Sequence, residues 1–167
     1  MTAHAGVADV QSSGCAALWL IAIETQNRPK VVSAGGIEAV VAAMKAHAGI
    51  AKVQESGCAT LFFIAIETQN RAKVAAAGGV EAVVAAMKAH ADEAIQKNCC
   101  GALLSIASAV VSASKVAAAG GIEVIVAAMK ALAGVAAVQH CGCRALLAIA
   151  CAVENRPKVA GGRRWWH

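Results

Sequence analysis

The sequence predicts an all-α fold in which three-helix units stack in line. Three observations carry this. First, the segment Val10-Gln11-Ser12-Ser13-Gly14-Cys15 returns as Val53-Gln54-Glu55-Ser56-Gly57-Cys58, Ile95-Gln96-Lys97-Asn98-Cys99-Cys100 and Val138-Gln139-His140-Cys141-Gly142-Cys143, with the glutamines 43, 42 and 43 residues apart. Steps of roughly 40–47 residues are those of stacked helical repeats, whose units bury their apolar faces against one another. Second, each unit holds a helical 3.6-residue apolar period closed by glycine pairs. Third, 59% of the 167 residues are apolar but only 3% are aromatic, with no tyrosine. Much of the apolar content is alanine, so the interior calls for helices in close approach rather than bulky filling.

The first element is a lone long helix, residues 7–25, with Ala17, Leu18 and Ile21 on its apolar side. Three units follow, at about 27–66, 70–109 and 112–153. In the second unit a short helix begins at Asn70. Its sister copies Asn27-Arg28-Pro29-Lys30 and Asn155-Arg156-Pro157-Lys158 carry an asparagine suited to capping and a first-turn proline. Gly78-Gly79, like Gly35-Gly36 and Gly120-Gly121, ends the short helix and turns the chain into a medium one.

In that medium helix Val80, Val83, Val84 and Met87 fall at i, i+3, i+4 and i+7. Glu81 at its start and Lys88 and His90 at its end suit the helix dipole. The third and longest helix is expected over about Ile50–Glu67 in the first unit, with Val53, Cys58, Leu61 and Ile64 turned inward. A cut-off start of a fourth unit leads to residue 162, and Arg163, Arg164, Trp165 and Trp166 form a tail.

The recurring pattern Asn-x-x-Lys-Val-x-x-Ala-Gly-Gly-Ile/Val-Glu-x-Val/Ile-Val-x-x-Met, followed by Val-Gln-x-x-x-Cys-x-x-Leu-x-x-Ile-Ala, resembles the armadillo repeat. The resemblance covers Val7 to Gly162. It implies a right-handed superhelix whose third helices line a concave groove that holds extended peptides or partner domains. In armadillo proteins of nuclear import, a Trp and an Asn four residues later run along the third helix. Here the Trp position holds Ala16, Ala59, Gly101 and Arg144, and the Asn position holds Leu20, Phe63, Ser105 and Ala148. Neither ladder exists, which speaks against import-signal binding by that mechanism.

The groove candidates are therefore Leu20, Phe63, Ser105 and Arg144, flanked by Glu24 and Glu67, which could pair with a basic partner. Trp19 and Phe62, one residue away, are expected to turn into the stack. A rotation of the helices that makes all four bulky residues core is the competing reading. Trp and Arg are enriched at binding hot spots, so the tail residues Arg163, Arg164, Trp165 and Trp166 read either as an anchor on a protein partner or as a cover for the last helix.

Chemistry is harder to find. Cys15, Cys58, Cys100 and Cys143 share one repeat position and read as small buried apolar residues. His140-Cys141-Gly142-Cys143 lacks four ligands converging on a point. His4, His47 and His90 recur by unit, as helix-end partners do and a catalytic histidine would not. No nucleophile and base can be paired. The expectation is a non-enzyme without metal or cofactor.

The net charge of +5 is local to the end of the chain, too weak for a nucleic-acid partner. No stretch offers about 20 strongly apolar residues, and the first nine residues carry no leader pattern, so a cytoplasmic location is the default. The expected function is a protein-protein interaction module, a scaffold subunit of a larger complex or a chain that self-associates through ends left uncapped. Recognition of an extended basic peptide, an enzyme, and a chain composed purely as a stack are the alternatives.

Overall fold

A computed structural model describes residues 1–161. It is all-helical over that span, in agreement with the expected fold class. After a 3-10 turn at Thr2–His4, α1 runs Ala8–Ile23. Three units follow, each a short, a medium and a long helix. They are α2 (Arg28–Ser33), α3 (Gly36–Ala46) and α4 (Ala51–Ile66), then α5 (Thr68–Ala76), α6 (Gly79–Ala89) and α7 (Glu93–Ala107), then α8 (Val110–Ala118), α9 (Gly121–Ala131) and α10 (Ala136–Ala150). A last short helix, α11, spans Arg156–Gly161. The long helices α1, α4, α7 and α10 lie side by side in one layer and make the most extensive contacts in the molecule. The tail residues Arg163, Arg164, Trp165 and Trp166 lie outside the described residues.

The core is continuous along the stack, as in solenoids, where each unit packs on its neighbours. Val53, Cys58, Leu61 and Ile64 of α4 are fully buried, with their equivalents in α7. In the glycine pairs the two members do different work. Gly35, Gly78 and Gly120 take φ values of +75°, +85° and +84°, the left-handed region that glycine enters freely. The second glycine stays helical and lets two helices meet, because a Cβ on Gly79 would stand 2.8 Å from the Val74 carbonyl oxygen.

Polar side chains stitch the units through backbone carbonyls. Gln54 Nε2 donates to the oxygens of Met44 and His47, both at 2.9 Å, closing the end of α3 onto α4. Gln11, Gln96 and Gln139 do the same for Met1 and His4, Met87 and His90, and Met129 and Leu132. The oxygens of Met44, Met87 and Met129 are C-terminal carbonyls that a helix leaves unpaired, and a buried one without a donor costs about 1–3 kcal/mol; those of His47 and Leu132 also accept from Ile50 N and Val135 N. His47 and His90 close their helices, and each ring reaches back one unit, with Nε2 2.7 Å from the oxygens of Ala5 and Ala48.

The asparagines correct the capping expectation. Asn27 makes no side-chain cap bond. Asn70 and Asn155 instead donate to Ile64 O and Ile149 O at the end of the preceding long helix. Asn70 is not a helix start at all, since α5 begins at Thr68. Pro29 and Pro157 lack an N–H and so cannot bond back four residues, whereas Ala72 can. The 42-residue step also has a visible cause. Asp92 Oδ1 accepts from Ala94 N at 2.9 Å and Ile95 N at 3.3 Å, a side-chain cap that opens α7 with a shorter turn than its sisters need.

Candidate protein-binding surface

Burial on the long helices defines an open face. On α4 the core side is fully covered, while Glu55, Ser56, Phe62, Phe63 and Ile66 stay partly or wholly exposed. Positions 55, 62, 63 and 66 follow i, i+7, i+8 and i+11, one face of a helix, with buried Ala59 as its floor. Repetition carries that face along the layer. Its central row is small at first (Ala16, Ala59, Gly101) and ends at Arg144. The next row is Trp19, Phe62, Leu104 and Leu147, followed by Leu20, Phe63, Ser105 and Ala148.

The Phe62 and Phe63 rings meet edge-to-face, centroids 5.0 Å apart and planes at 63°, the arrangement that the ring quadrupoles favour. Phe62 lies across the backbone of α7 where the small row holds Gly101, and a Cβ there would sit 3.3 Å from its Cδ2. Trp19 and Phe62 are both half-buried and neither is core. Trp19 Nε1 is shielded and has no hydrogen-bond partner among the described residues.

The expected groove residues separate on inspection. Leu20 is 60% exposed, Phe63 is half-buried against the core and Arg144 is exposed. Ser105 is buried, so its hydroxyl is not offered to a partner. Glu24 is exposed. Glu67 is not free, because its Oε1 accepts from Arg28 Nη1 at 2.6 Å. Arg28 also donates through Nε to Ala22 O and through Nη2 to Ile23 O, tying the end of α1 to the following unit. Arg71 repeats this at Ala65 O and Ile66 O, and its Nη1 reaches Ser108 O, since the next unit has Ala109 where a glutamate would stand. Lys97 and His140 are not among the groove residues expected from the sequence, where His140 enters only as a candidate metal ligand. They stand four residues before Gly101 and Arg144 and are exposed, and Lys97 with Arg144 makes the second half of the face basic, where the same row of the first half holds Ser12 and Glu55.

Cys143 corrects another expectation. It shares a repeat position with Cys15, Cys58 and Cys100, all fully buried, yet it is exposed, because no further unit covers α10 in the described stack. Burial pushes Cys15 up to about 11 and Cys100 to about 12. Cys99, 3.0 Å from Cys58 Sγ, is raised well above the usual thiol range, first by burial and then by that bond. Thiolates are the reactive form, so native protein at pH 8 is expected to label at Cys143 and Cys151 quickly and at Cys15, Cys99 and Cys100 only after unfolding, as peptide mapping would read. Below pH 9 Cys15 is a thiol in both folded and unfolded chain. Between pH 9 and 11 only the unfolded chain ionises there, so stability is lost as pH rises through that window.

Among the described residues no group of three or more His, Cys, Asp or Glu side chains could hold a metal ion. No single helix among them is long and apolar enough to cross a membrane.

With stack and face in view, the relatives can be placed. A family model described as "Protein zer-1 homolog-like, C-terminal domain" matches residues 41–165. The chain belongs to that family. The zer-1-like match starts within α3 and takes in every later long helix. It supports a protein-interaction module built of helical repeats. No curated protein matches the chain. Two engineered proteins with crystal structures from the Northeast Structural Genomics Consortium are similar to it, each at 27% identity, with TM-scores of 0.79 and 0.80. The alignments cover 93% of this zer-1-like chain but only 64% and 38% of theirs.

Proposed function

We propose that the chain is an armadillo-type array acting as a non-catalytic binding subunit, and that its partner lies on the open face of the long helices. The observation that carries this is the run of bulky apolar side chains held partly in the open at registered positions, Leu20 and Phe63 with Trp19 and Phe62 beside them. Exposed apolar surface of this kind is a feature of interaction sites. The basic second half adds direction. A partner segment would set apolar side chains over Phe62 and Phe63 and carboxylates toward Lys97 and Arg144. That charge is the wrong sign for a basic peptide lying over the second half of the face.

The test uses Leu20→Asp and Arg144→Glu. Both sites are exposed, so the fold should be kept, as circular dichroism would report. Immobilised chain is challenged with cell extract and recovered proteins are quantified by mass spectrometry. A hot-spot loss of 2 kcal/mol or more corresponds to roughly 30-fold weaker binding, so a true partner should fall by that order on both variants. If every recovered protein is indifferent to both changes, the face is not the binding site.

A further inference from the structure

The two end faces of the stack are the halves of an interface the molecule already uses internally. At one end, Val10, Ala17 and Ile21 of α1 are exposed, while their equivalents in α4, α7 and α10 are buried by the unit before them. At the other end, Cys143 of α10 is exposed and Ala150 half-buried, where their earlier copies (Cys15, Cys58 and Cys100; Ala22, Ala65 and Ala107) are buried by the unit after them, and Leu147 is 68% exposed where Trp19, Phe62 and Leu104 are half-buried. Leu147 lines an open hollow of about 310 Å³ with Cys143, Leu146, Ala150, Val159 and, at its rim, Arg156.

Charge fixes how these faces would meet. Inside the stack, Arg28 follows one long helix and pairs with Glu67 at the end of the next. Arg156 stands after α10 as Arg28 stands after α1, and its Nε already donates to Ala150 O in the same manner. The glutamate equivalent to Glu67 on the first long helix is Glu24, which is exposed.

We propose that copies of this chain associate head to tail. The α1 face of one seats in the α10 hollow of the next, and Glu24 of the first copy takes Arg156 of the second as Glu67 takes Arg28. Such a contact joins two different surfaces, so it does not stop at two copies but builds larger rings or open chains. The proposal is tested apart from the open-face reading, because its test changes Glu24 and Arg156 and leaves Leu20, Phe63 and Arg144 as they are; Leu147 alone borders both surfaces.

Sedimentation velocity of the full chain over a concentration series tests it. The wild type should grow beyond dimers as concentration rises. Glu24→Arg and Arg156→Glu should each shift association to at least about 10-fold higher concentration, the order expected when an interface charge pair becomes a like-charge clash. Mixing the two variants should restore assembly, since every junction then regains an Arg–Glu pair. A chain that stays monomeric throughout would overturn the proposal. So would growth that ends at dimers and ignores Arg156→Glu, or single variants that are not rescued on mixing. Circular dichroism of each variant separates a lost contact from a lost fold.

Discussion

Ile64→Ala is expected to destabilise the protein by about 2–5 kcal/mol, the range for truncating a large aliphatic side chain in a core, whereas Ile21→Ala should cost about 0.5 kcal/mol, as at a surface position. The two isoleucines occupy the same place on sister helices. Ile64 is 0% exposed and Ile21 is 44% exposed. What differs is the neighbour. The unit before α4 supplies α1 as a wall, and among the described residues only the 3-10 turn at Thr2–His4 and no long helix stands before α1. The cavity left by Ile64→Ala cannot close cheaply, because Leu61 and Ala65 beside it on the helix are themselves fully buried. Urea unfolding of both variants measures the difference, read as midpoints with the slope checked, since repeat arrays can lose all-or-none behaviour. Equal losses at the two positions would mean that burial is not set by stacking order, and the modular account of the core would fail.

What the residues revealed in advance follows the same division. Apolar periodicity located the long helices and their inward side, because burial against a neighbour leaves a pattern in side-chain type. It also singled out Ala17, Leu18 and Ile21 on the leading helix, of which Ala17 and Ile21 are exposed and Leu18 is half-buried. The stitches escaped it. Gln54, Arg28 and Asn70 bond to backbone carbonyls, and an acceptor that every residue possesses leaves no mark on the sequence. Their recurrence was visible, and the partner was not. The candidate surface was half legible for a related reason. Alignment gave the row of Leu20, Phe63 and Ser105, but whether a residue in that row meets solvent depends on the bulk beside it. Ser105 is small and lies buried, whereas Leu20 is large and stands out. Glu67 looked available because a pairing 39 residues back, with Arg28, is set only when units stack. Lys97 and His140 share their row with Ser12 and Glu55, so no repeated residue type drew attention to them.

Gly79→Ala carries the other large effect, roughly 2–3 kcal/mol of lost stability, the scale of forcing extra atoms into a packed site. The Gly78-Gly79 pair invites the opposite ranking, because Gly78 has the positive φ. Yet a left-handed position can be served by asparagine at modest expense, so Gly78→Asn is expected to cost under about 1 kcal/mol. No residue with a Cβ can serve at 79. The added carbon would stand 2.6 Å from Val74 Cγ1 and 2.8 Å from Val74 O. The side chain could turn away, but the carbonyl belongs to α5 and cannot move without that helix. Relief requires α5 and α6 to spread, and both are packed on α4 and α7. The gain in helix propensity from Gly to Ala, up to about 1 kcal/mol, offsets only part of this. Gly36 and Gly121 face Val31 and Val116 in the same way, each 2.7 Å from the carbonyl oxygen, so alanine at either site should act alike. Thermal unfolding of Gly79→Ala beside Gly78→Asn decides the matter. If the alanine variant is the milder of the two, the second glycine is there for the turn and not for helix approach, and the spacing that brings the long helices into one layer has another origin.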